Sequence, residues 1–455
     1  MNSADKNNEY SLLRQQFPVF IYEKYDIDID DAGLKARFHF NLSGKFRFCP
    51  EIFIPQKEFL TFEINRSDLG ILVFHIGMIE LISYWKSACS PEVVIEAGPL
   101  DHAQIKWWKK LYFKGLGEFF YTNGISARID DFMKITANHK LSSTKIEFGQ
   151  FDGFLVPIGG GKDSVVSLET LIQNKRKVRP FILNPRNASI DTAKNAGFKE
   201  EDIITVYRTI DPTLIELNKQ GFLNGHTPFS ALLAFVSLLA ARLSCMNNIA
   251  LSNESSSNEV TVIGTQVNHQ YSKSFEFEND FRNYVSKYIS NDFNYFSFLR
   301  PLSELQIANI FSKFPDHFYS FKSCNVGSKS DSWCCNCPKC LFSWIILSPF
   351  MSQENLIEIF GENLFANNGL LEIFEELIGI GDTKPFECVG TIEEVNIALI
   401  MAIKKIRKPL PFLLGHYKNL KQYKFYENSS DSFDFQQIND QHFVNSELLD
   451  QIRKP

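Results

Sequence analysis

Residues Leu155 to Ser164 read Leu-Val-Pro-Ile-Gly-Gly-Gly-Lys-Asp-Ser. An apolar run, Phe154 to Ile158, enters three consecutive glycines, and Lys162-Asp163-Ser164 leads into a helical pattern from Val165 to Asn174. A strand that ends in a glycine turn and feeds directly into a helix is the opening of a parallel strand–helix–strand unit. Gly159, Gly160 and Gly161 allow backbone N–H groups to wrap an anion without Cβ clashes. The helix that follows aims its unpaired N-terminal donors and positive dipole end at the same point. The ligand expected there is a nucleotide phosphate.

The rhythm continues beyond the loop. Val178 to Leu183, Ile203 to Tyr207 and Ile249 to Leu251 read as further strands. Helical stretches, Ile190 to Ala196 and Thr227 to about Leu243, separate them. Thr227 is the expected N-cap of the second helix and Pro228 its first-turn residue. Alternating strands and helices predict an α/β domain with a parallel sheet over residues 151–300, with ligands at the carboxyl ends of its strands. Residues 1–150 predict an α+β domain. Lys35 to Leu42 alternates as a strand, Lys45 to Phe53 suggests a second, and Asp68 to Ser87 is apolar at helical spacing. Asp101 to Tyr121 reads as a helix offering Trp107, Trp108, Leu111, Tyr112 and Leu116 for packing. Residues 301–455 read as mainly helical, with a cysteine cluster, and from Tyr426 onward as a loop and loosely attached tail. His75 and His102 stand beside apolar or aromatic neighbours and are expected to pack.

A chain of 455 residues is too long for one ordinary core. Its formal net charge of −6 argues against broad nucleic-acid binding, which calls for a basic face. Met1 to Tyr10 is polar and lacks the apolar core of a secretory leader. The apolar stretch Ala231 to Ala241 is too short to cross a bilayer. The expectation is a cytoplasmic protein with neither a nucleic-acid nor a membrane partner. Oligomeric state has no signal in the sequence. In such a compartment the nine cysteines stay reduced, which favours metal ligation or packing over disulfides.

Two familiar phosphate loops do not fit. The P-loop requires Ser or Thr after Gly-Lys, where Asp163 stands, and the dinucleotide pattern fails because position 164 is Ser. Gly160-Gly161-Lys162-Asp163-Ser164 instead resembles the last five positions of the Ser-Gly-Gly-x-Asp-Ser loop of the PP-loop ATP pyrophosphatase superfamily, whose fold is HUP-like. Gly159 stands where that superfamily usually has Ser. The resemblance implies cleavage of ATP between its α and β phosphates and adenylation of a substrate oxygen. It implies that Gly160, Gly161 and Ser164 hold pyrophosphate, that Asp163 helps hold Mg²⁺, and that Lys162 neutralises phosphate charge. Asn184, after the second strand, is positioned either to touch adenine or ribose or to cap a turn.

A wider resemblance covers roughly residues 115 to 390. Gly115-Leu116-Gly117-Glu118-Phe119, Pro157 to Ser164, Asn224-Gly225-His226 and Ser252-Asn253-Glu254 carry its first half. Val267 to Ser274, Trp333 to Cys340 and Lys384 to Gly390 carry its second. Together they resemble the UDP-N-acetylmuramoyl-L-alanyl-L-glutamate epimerase (MurL) family of peptidoglycan biosynthesis. The family implies an ATP- and Mg²⁺-dependent inversion of the terminal L-glutamate of a nucleotide-sugar peptide, through carboxylate adenylation, α-proton removal and reprotonation. The polar residues available as base and acid are His226, Glu254, His269, Tyr271 and Lys273, each of which has an equally ordinary structural reading. Arg300 and Lys273 are suited to the substrate's carboxylate or phosphates. Three alternatives stand: a PP-loop adenylating ligase or nucleobase-modifying enzyme, an epimerase of another peptide C-terminus, and a non-catalytic nucleotide-binding regulator.

Cys324, Cys334, Cys337 and Cys340 are spaced C-x9-C-x2-C-x2-C. Four thiolates at such intervals can close a tetrahedral zinc shell. The placement is similar to the zinc site of 7-cyano-7-deazaguanine synthase, another PP-loop enzyme. The competing reading is a reduced, partly buried cluster without metal. Cys335 breaks the spacing and is left as an alternative ligand, a packing residue or an acid/base thiol. Cys49, Cys89 and Cys245 read as ordinary buried cysteines.

Overall fold

The protein is α/β. The structure, a computed structural model, describes residues 3–58, 65–138, 145–147, 149–258, 271–381, 384–385, 387–429 and 433–453. Its strands are β1 (Val19–Asp30), β2 (Gly33–Leu42), β3 (Phe46–Phe48), β4 (Glu51–Pro55), β5 (Glu92–Pro99), β6 (Lys134–Asn138), β7 (Phe154–Pro157), β8 (Val178–Leu183), β9 (Ile204–Thr209), β10 (Asn248–Leu251) and β11 (Asn294–Ser297). The chain forms two compact units. The first comprises Met1–Leu155, Ile204–Ile249 and Val267–Tyr295, and the second Val156–Ile203, Ala250–Gln266 and Phe296–Pro455.

The first unit holds a mixed sheet in the order β9-β4-β2-β1-β5-β6, with β3 also on β2. β1, β2, β4 and β9 pair antiparallel, whereas β1, β5 and β6 pair parallel. The alternation read in the sequence is realised on β2, where Leu34, Ala36, Phe38, Phe40 and Leu42 are fully buried. The second expected strand is broken in two, because Pro50 has no N–H to offer a ladder and instead accepts from Phe38 N–H at 3.0 Å. The helix Arg66–Trp85 is long and apolar enough to cross a membrane, but 78% of its apolar window is buried inside the fold. Asn65 caps it. A break at Leu116 splits the expected Asp101–Tyr121 helix into His102–Gly115 and Gly117–Thr122. The Tyr284 hydroxyl ties this core together: Gln104 Nε2 and Trp108 Nε1 donate to it at 3.0 Å each, and it lies 3.0 Å from His75 Nε2. His75 therefore packs as expected, but His102 is exposed. Cys89 is buried, whereas Cys49 is exposed and Cys245 only partly covered.

In the second unit the glycine loop lies between β7 and the helix Lys162–Gln173. β7 and β10 run parallel, and their paired residues, Phe154 opposite Asn248, belong to the first unit. β8 follows the first helix, and Ile158 N–H donates to Phe181 O at 2.8 Å. In the first unit, the helix Phe229–Ser244 begins later than expected: Pro228 occupies its N-cap position and no side chain, Thr227 included, caps it. β11 is not among the expected strands, because four residues are too short to show a period. The C-terminal stretch is not loosely attached. Val444, Leu448 and Ile452 are buried, and Gln306 Nε2 donates to the carbonyls of Phe435 and Gln437 at 2.9 and 2.8 Å.

Candidate functional site

The glycine loop is shaped by what stands behind it. Gly160 has φ +84°, and a Cβ there would lie 2.9 Å from the carbonyl carbon of Ala188. Only glycine combines that backbone with that proximity. A Cβ on Gly161 would meet Ser323 Oγ at 2.9 Å, while one on Gly159 would meet nothing within 4 Å. The serine of the superfamily pattern is thus absent from a place with room for it. All three glycine carbonyls are engaged. Arg186 Nη2 donates to Gly159 O at 3.0 Å, Lys322 N–H to Gly160 O at 2.8 Å, and Ser164 Oγ to Gly161 O at 2.8 Å. Gly161 is the N-cap of a twelve-residue helix, whose first-turn N–H groups have no intrahelical acceptor. Backbone donors and a dipole end therefore converge where a phosphate can sit.

Lys162 is buried beside this loop. Its ammonium lies 2.5 Å from Asp163 Oδ1 and is also paired with Glu304. Burial alone would push Lys162 down, but Asp163 and Glu304 reverse this and hold it well above the ordinary lysine value. Burial pushes the Glu304 carboxyl up, with Lys162 pulling against it and Asp163 and Glu254 adding to it. Glu304 N–H donates to Glu394 Oε1 at 2.6 Å, and Glu394 in turn closes a capping box with Thr391. Glu254 is buried, with Ser256 Oγ donating to its Oε1 at 2.8 Å. Arg300, fully buried, donates to the carbonyl oxygen of Glu254 at 2.7 Å and so positions backbone. Asp163 remains partly exposed and is the carboxylate of this group best suited to a phosphate-bound cation. Asn184 has φ +55°, the left-handed conformation of a turn residue.

A second group of ionisable side chains lies within the first unit. His226 Nδ1 is 3.6 Å from Glu118 Oε2, too far for a hydrogen bond, and has no hydrogen-bond partner among the described residues. Burial, aided by the cations Lys86 and Lys273, pushes the imidazole down to about 4. Burial pushes the Glu118 carboxyl up to about 6. Burial, then the neighbouring Arg208, pushes Lys86 down to about 8. The Lys86 ammonium donates to the Gly225 carbonyl, immediately before His226. Tyr271 and Lys273 lie on one short 3₁₀ turn, and the Tyr271 hydroxyl is raised by burial. Of the polar residues read from the sequence, His226 and Lys273 are thus near enough to influence each other. Glu254 belongs to the other unit, and His269 lies outside the described residues.

Several members of these groups were not legible beforehand. Glu118 lies in the Gly115–Phe119 string, and Lys86 is the C-cap of a core helix. Glu304, Glu394 and Arg186 carried no motif. Cys324, Cys334, Cys337 and Cys340 come together, with all four sulfurs within 4.8 Å of one another. Cys335 points elsewhere, its Sγ donating to Phe360 O at 3.0 Å.

Residues 12–298 match the family model described as the MurL N-terminal domain, and residues 320–417 match the MurL C-terminal domain. The chain is similar to a UDP-N-acetyl-alpha-D-muramoyl-L-alanyl-L-glutamate epimerase of a Micromonospora species, at 32% identity over 394 residues, 85% of this chain and 87% of that protein. It is 33% identical to the protein of the same name in Salinispora tropica over 396 residues, 85% of each chain. The protein of that name in Xanthomonas oryzae pv. oryzae is 34% identical over 332 residues, 71% of this chain and 72% of that one. No solved structure matches.

Proposed function

The chain belongs to the MurL epimerase family, and on that premise we propose that it inverts the terminal glutamate of UDP-MurNAc-L-Ala-L-Glu from L to D in an ATP-dependent reaction. The observation that carries this reading is the similarity to epimerases along 85% of this chain and 87% of one relative. The glycine loop supports the ATP requirement, since Gly160 keeps a conformation and a closeness of approach that only glycine allows.

The chemistry explains why an epimerase would use ATP. The α-proton of a C-terminal glutamate is held by its neighbouring anionic carboxylate, because removing it places a second negative charge on the same small unit. In the proposed reaction a carboxylate oxygen attacks the α-phosphorus of ATP and pyrophosphate leaves. The mixed anhydride carries no charge on the acyl group and withdraws electrons from the α-carbon. A base then takes the α-proton, and an acid returns one to the opposite face. Water cleaves the anhydride, releasing AMP and the D-glutamyl product.

Gly159, Gly160, Gly161, Lys162 and Ser164 would receive the phosphates, with Asp163 toward Mg²⁺. When bound, Mg²⁺ would supply charge neutralisation on the phosphates. His226 is suited to accept a proton, because its imidazole is neutral at physiological pH and its Nδ1 has no hydrogen-bond partner among the described residues. Glu118, raised to about 6, is suited to donate one.

The test is incubation with UDP-MurNAc-L-Ala-L-Glu, ATP and Mg²⁺ in D₂O. The expected products are AMP, pyrophosphate and D-glutamyl peptide carrying one α-deuterium. AMP formation that requires ammonia or an amine, with no α-deuterium, would assign the loop to an adenylating ligase instead.

A further inference from the structure

We propose that Cys324, Cys334, Cys337 and Cys340 bind one structural zinc ion, and that this ion is the strut that holds the glycine loop in shape. The sulfur spacing carries the first half. Sγ–Sγ distances are 3.9 Å for Cys324–Cys337, 3.8 Å for Cys334–Cys340 and 3.5 Å for Cys337–Cys340. A tetrahedron with zinc–sulfur bonds of about 2.3 Å has edges of about 3.8 Å. All four cysteines are free thiols, so no disulfide competes for them. On binding, the four thiols release their protons and the sulfurs become the four ligands. The surroundings suit the resulting anionic centre. Gly327 N–H donates to Cys324 Sγ at 3.1 Å, and Cys337 caps the ten-residue helix Pro338–Leu347, whose positive end also carries Cys340 in its first turn. Gly327 has no room for a side chain, since a Cβ there would lie 2.1 Å from Ser332 O.

The second half follows from what the cysteine loop touches. Trp333, at the end of the stretch from Cys324 to Cys334, packs against Phe321 and Phe360, but of residues 325–332 only Gly327 is buried, so they have no apolar core of their own to hold them. Yet this stretch makes a series of contacts to the back of the glycine loop. Immediately before the stretch, Lys322 N–H donates to Gly160 O and Ser323 Oγ abuts Gly161. The Ser328 carbonyl accepts from Arg186 Nη1 at 3.4 Å, while the other arm of that guanidinium holds Gly159 O. The Asp331 carboxylate accepts from Asn187 and Ala188 N–H at 3.2 and 3.3 Å, fixing the start of the helix whose Ala188 walls Gly160. A segment without a core can fix its neighbour only if it is tethered, and the four sulfurs are the tether. The nucleotide role of the glycine loop rests on the function proposed above. The strut does not, because loop order can be read without ATP.

The full chain, purified under reducing conditions, is expected to carry one zinc by elemental mass analysis and to regain it after chelation and zinc addition. Cys337→Ser loses the ion, Cys335→Ser keeps it, and Gly327→Ala binds it more weakly. Hydrogen exchange at residues 159–162 and 186–188 is expected to become several-fold faster when the wild-type chain is stripped by chelator. That measurement needs no variant to fold. A reduced chain that takes up no zinc overturns the metal site. Exchange at those amides that is unchanged by metal removal overturns the strut. ATP-independent activity with the zinc and exchange results intact would sink only the nucleotide reading.

Discussion

Two groups of buried ionisable residues use opposite electrostatics. The Lys162 ammonium has two close carboxylate partners, with Asp163 Oδ1 at 2.5 Å and Glu304 also in contact, and the lysine is held firmly protonated. Around His226 the groups are buried but poorly matched. The Glu118 carboxylate is 3.6 Å away, and the cations nearby repel a proton. Close carboxylates hold the lysine charged, although burial pushes the Glu304 carboxyl itself up. Mismatch moves buried groups toward neutrality, which brings Glu118 to about 6 and Lys86 to about 8. The first arrangement suits holding a fixed charge, and the second suits moving protons.

The largest effect expected from breaking this contrast is on turnover. His226→Gln should lower α-deuterium incorporation by about 10²–10⁴-fold, the usual worth of a positioned proton-transfer group, with little change in thermal midpoint. Lys162→Met should do the reverse in kind. It leaves Glu304 buried without its cation and should cost about 3–5 kcal/mol in denaturant unfolding, with Lys162→Met/Glu304→Gln recovering much of the loss. If both single variants fall equally in stability, the two groups do not differ as described.

Gly160→Ala tests the loop itself. Forcing a Cβ into a left-handed position costs about 1–3 kcal/mol, enough to weaken ATP binding about tenfold in equilibrium titration. A pH series sharpens the second group. His226 is displaced from an ordinary 6.5 to about 4, so its contribution to stability is present above pH 6.5 and lost as pH falls toward 4. Glu118, raised from 4.5 to about 6, contributes below pH 4.5 and loses that contribution as pH rises through 6. Stability of His226→Gln, followed by chemical denaturation from pH 7 to 4, should therefore fall less steeply than that of the parent chain. The smallest effect belongs to Gly159→Ser. The site has open space, so the fold should be unchanged within about 0.5 kcal/mol by thermal melting.

What the sequence made legible was local chemistry. The strand, three glycines and Lys-Asp-Ser announce themselves within ten residues, as does the β2 alternation. The cysteine spacing likewise needs only a short window. What remained hidden depends on distance along the chain. Glu304 reaches Lys162 from 142 positions away, and Arg208 pairs with Glu80 from 128. Neither partner carries a local signature, because an isolated acid on a helix looks the same whether it faces water or a buried lysine. The capping of Phe229–Ser244 misled for a related reason: Thr227 has the right chemistry for an N-cap, but the tertiary path of the chain gives that position to Pro228.

The wide separation of Lys162 from Glu304 has a consequence for biosynthesis. A ribosome adding about 5–20 residues per second needs roughly 7–28 seconds to pass from one to the other. The backing segment at Lys322 and Ser323 emerges later still. For that interval the nascent glycine loop lacks both the acid that neutralises its lysine and the wall that shapes it, so the unit that carries the glycine loop is assembled late in translation.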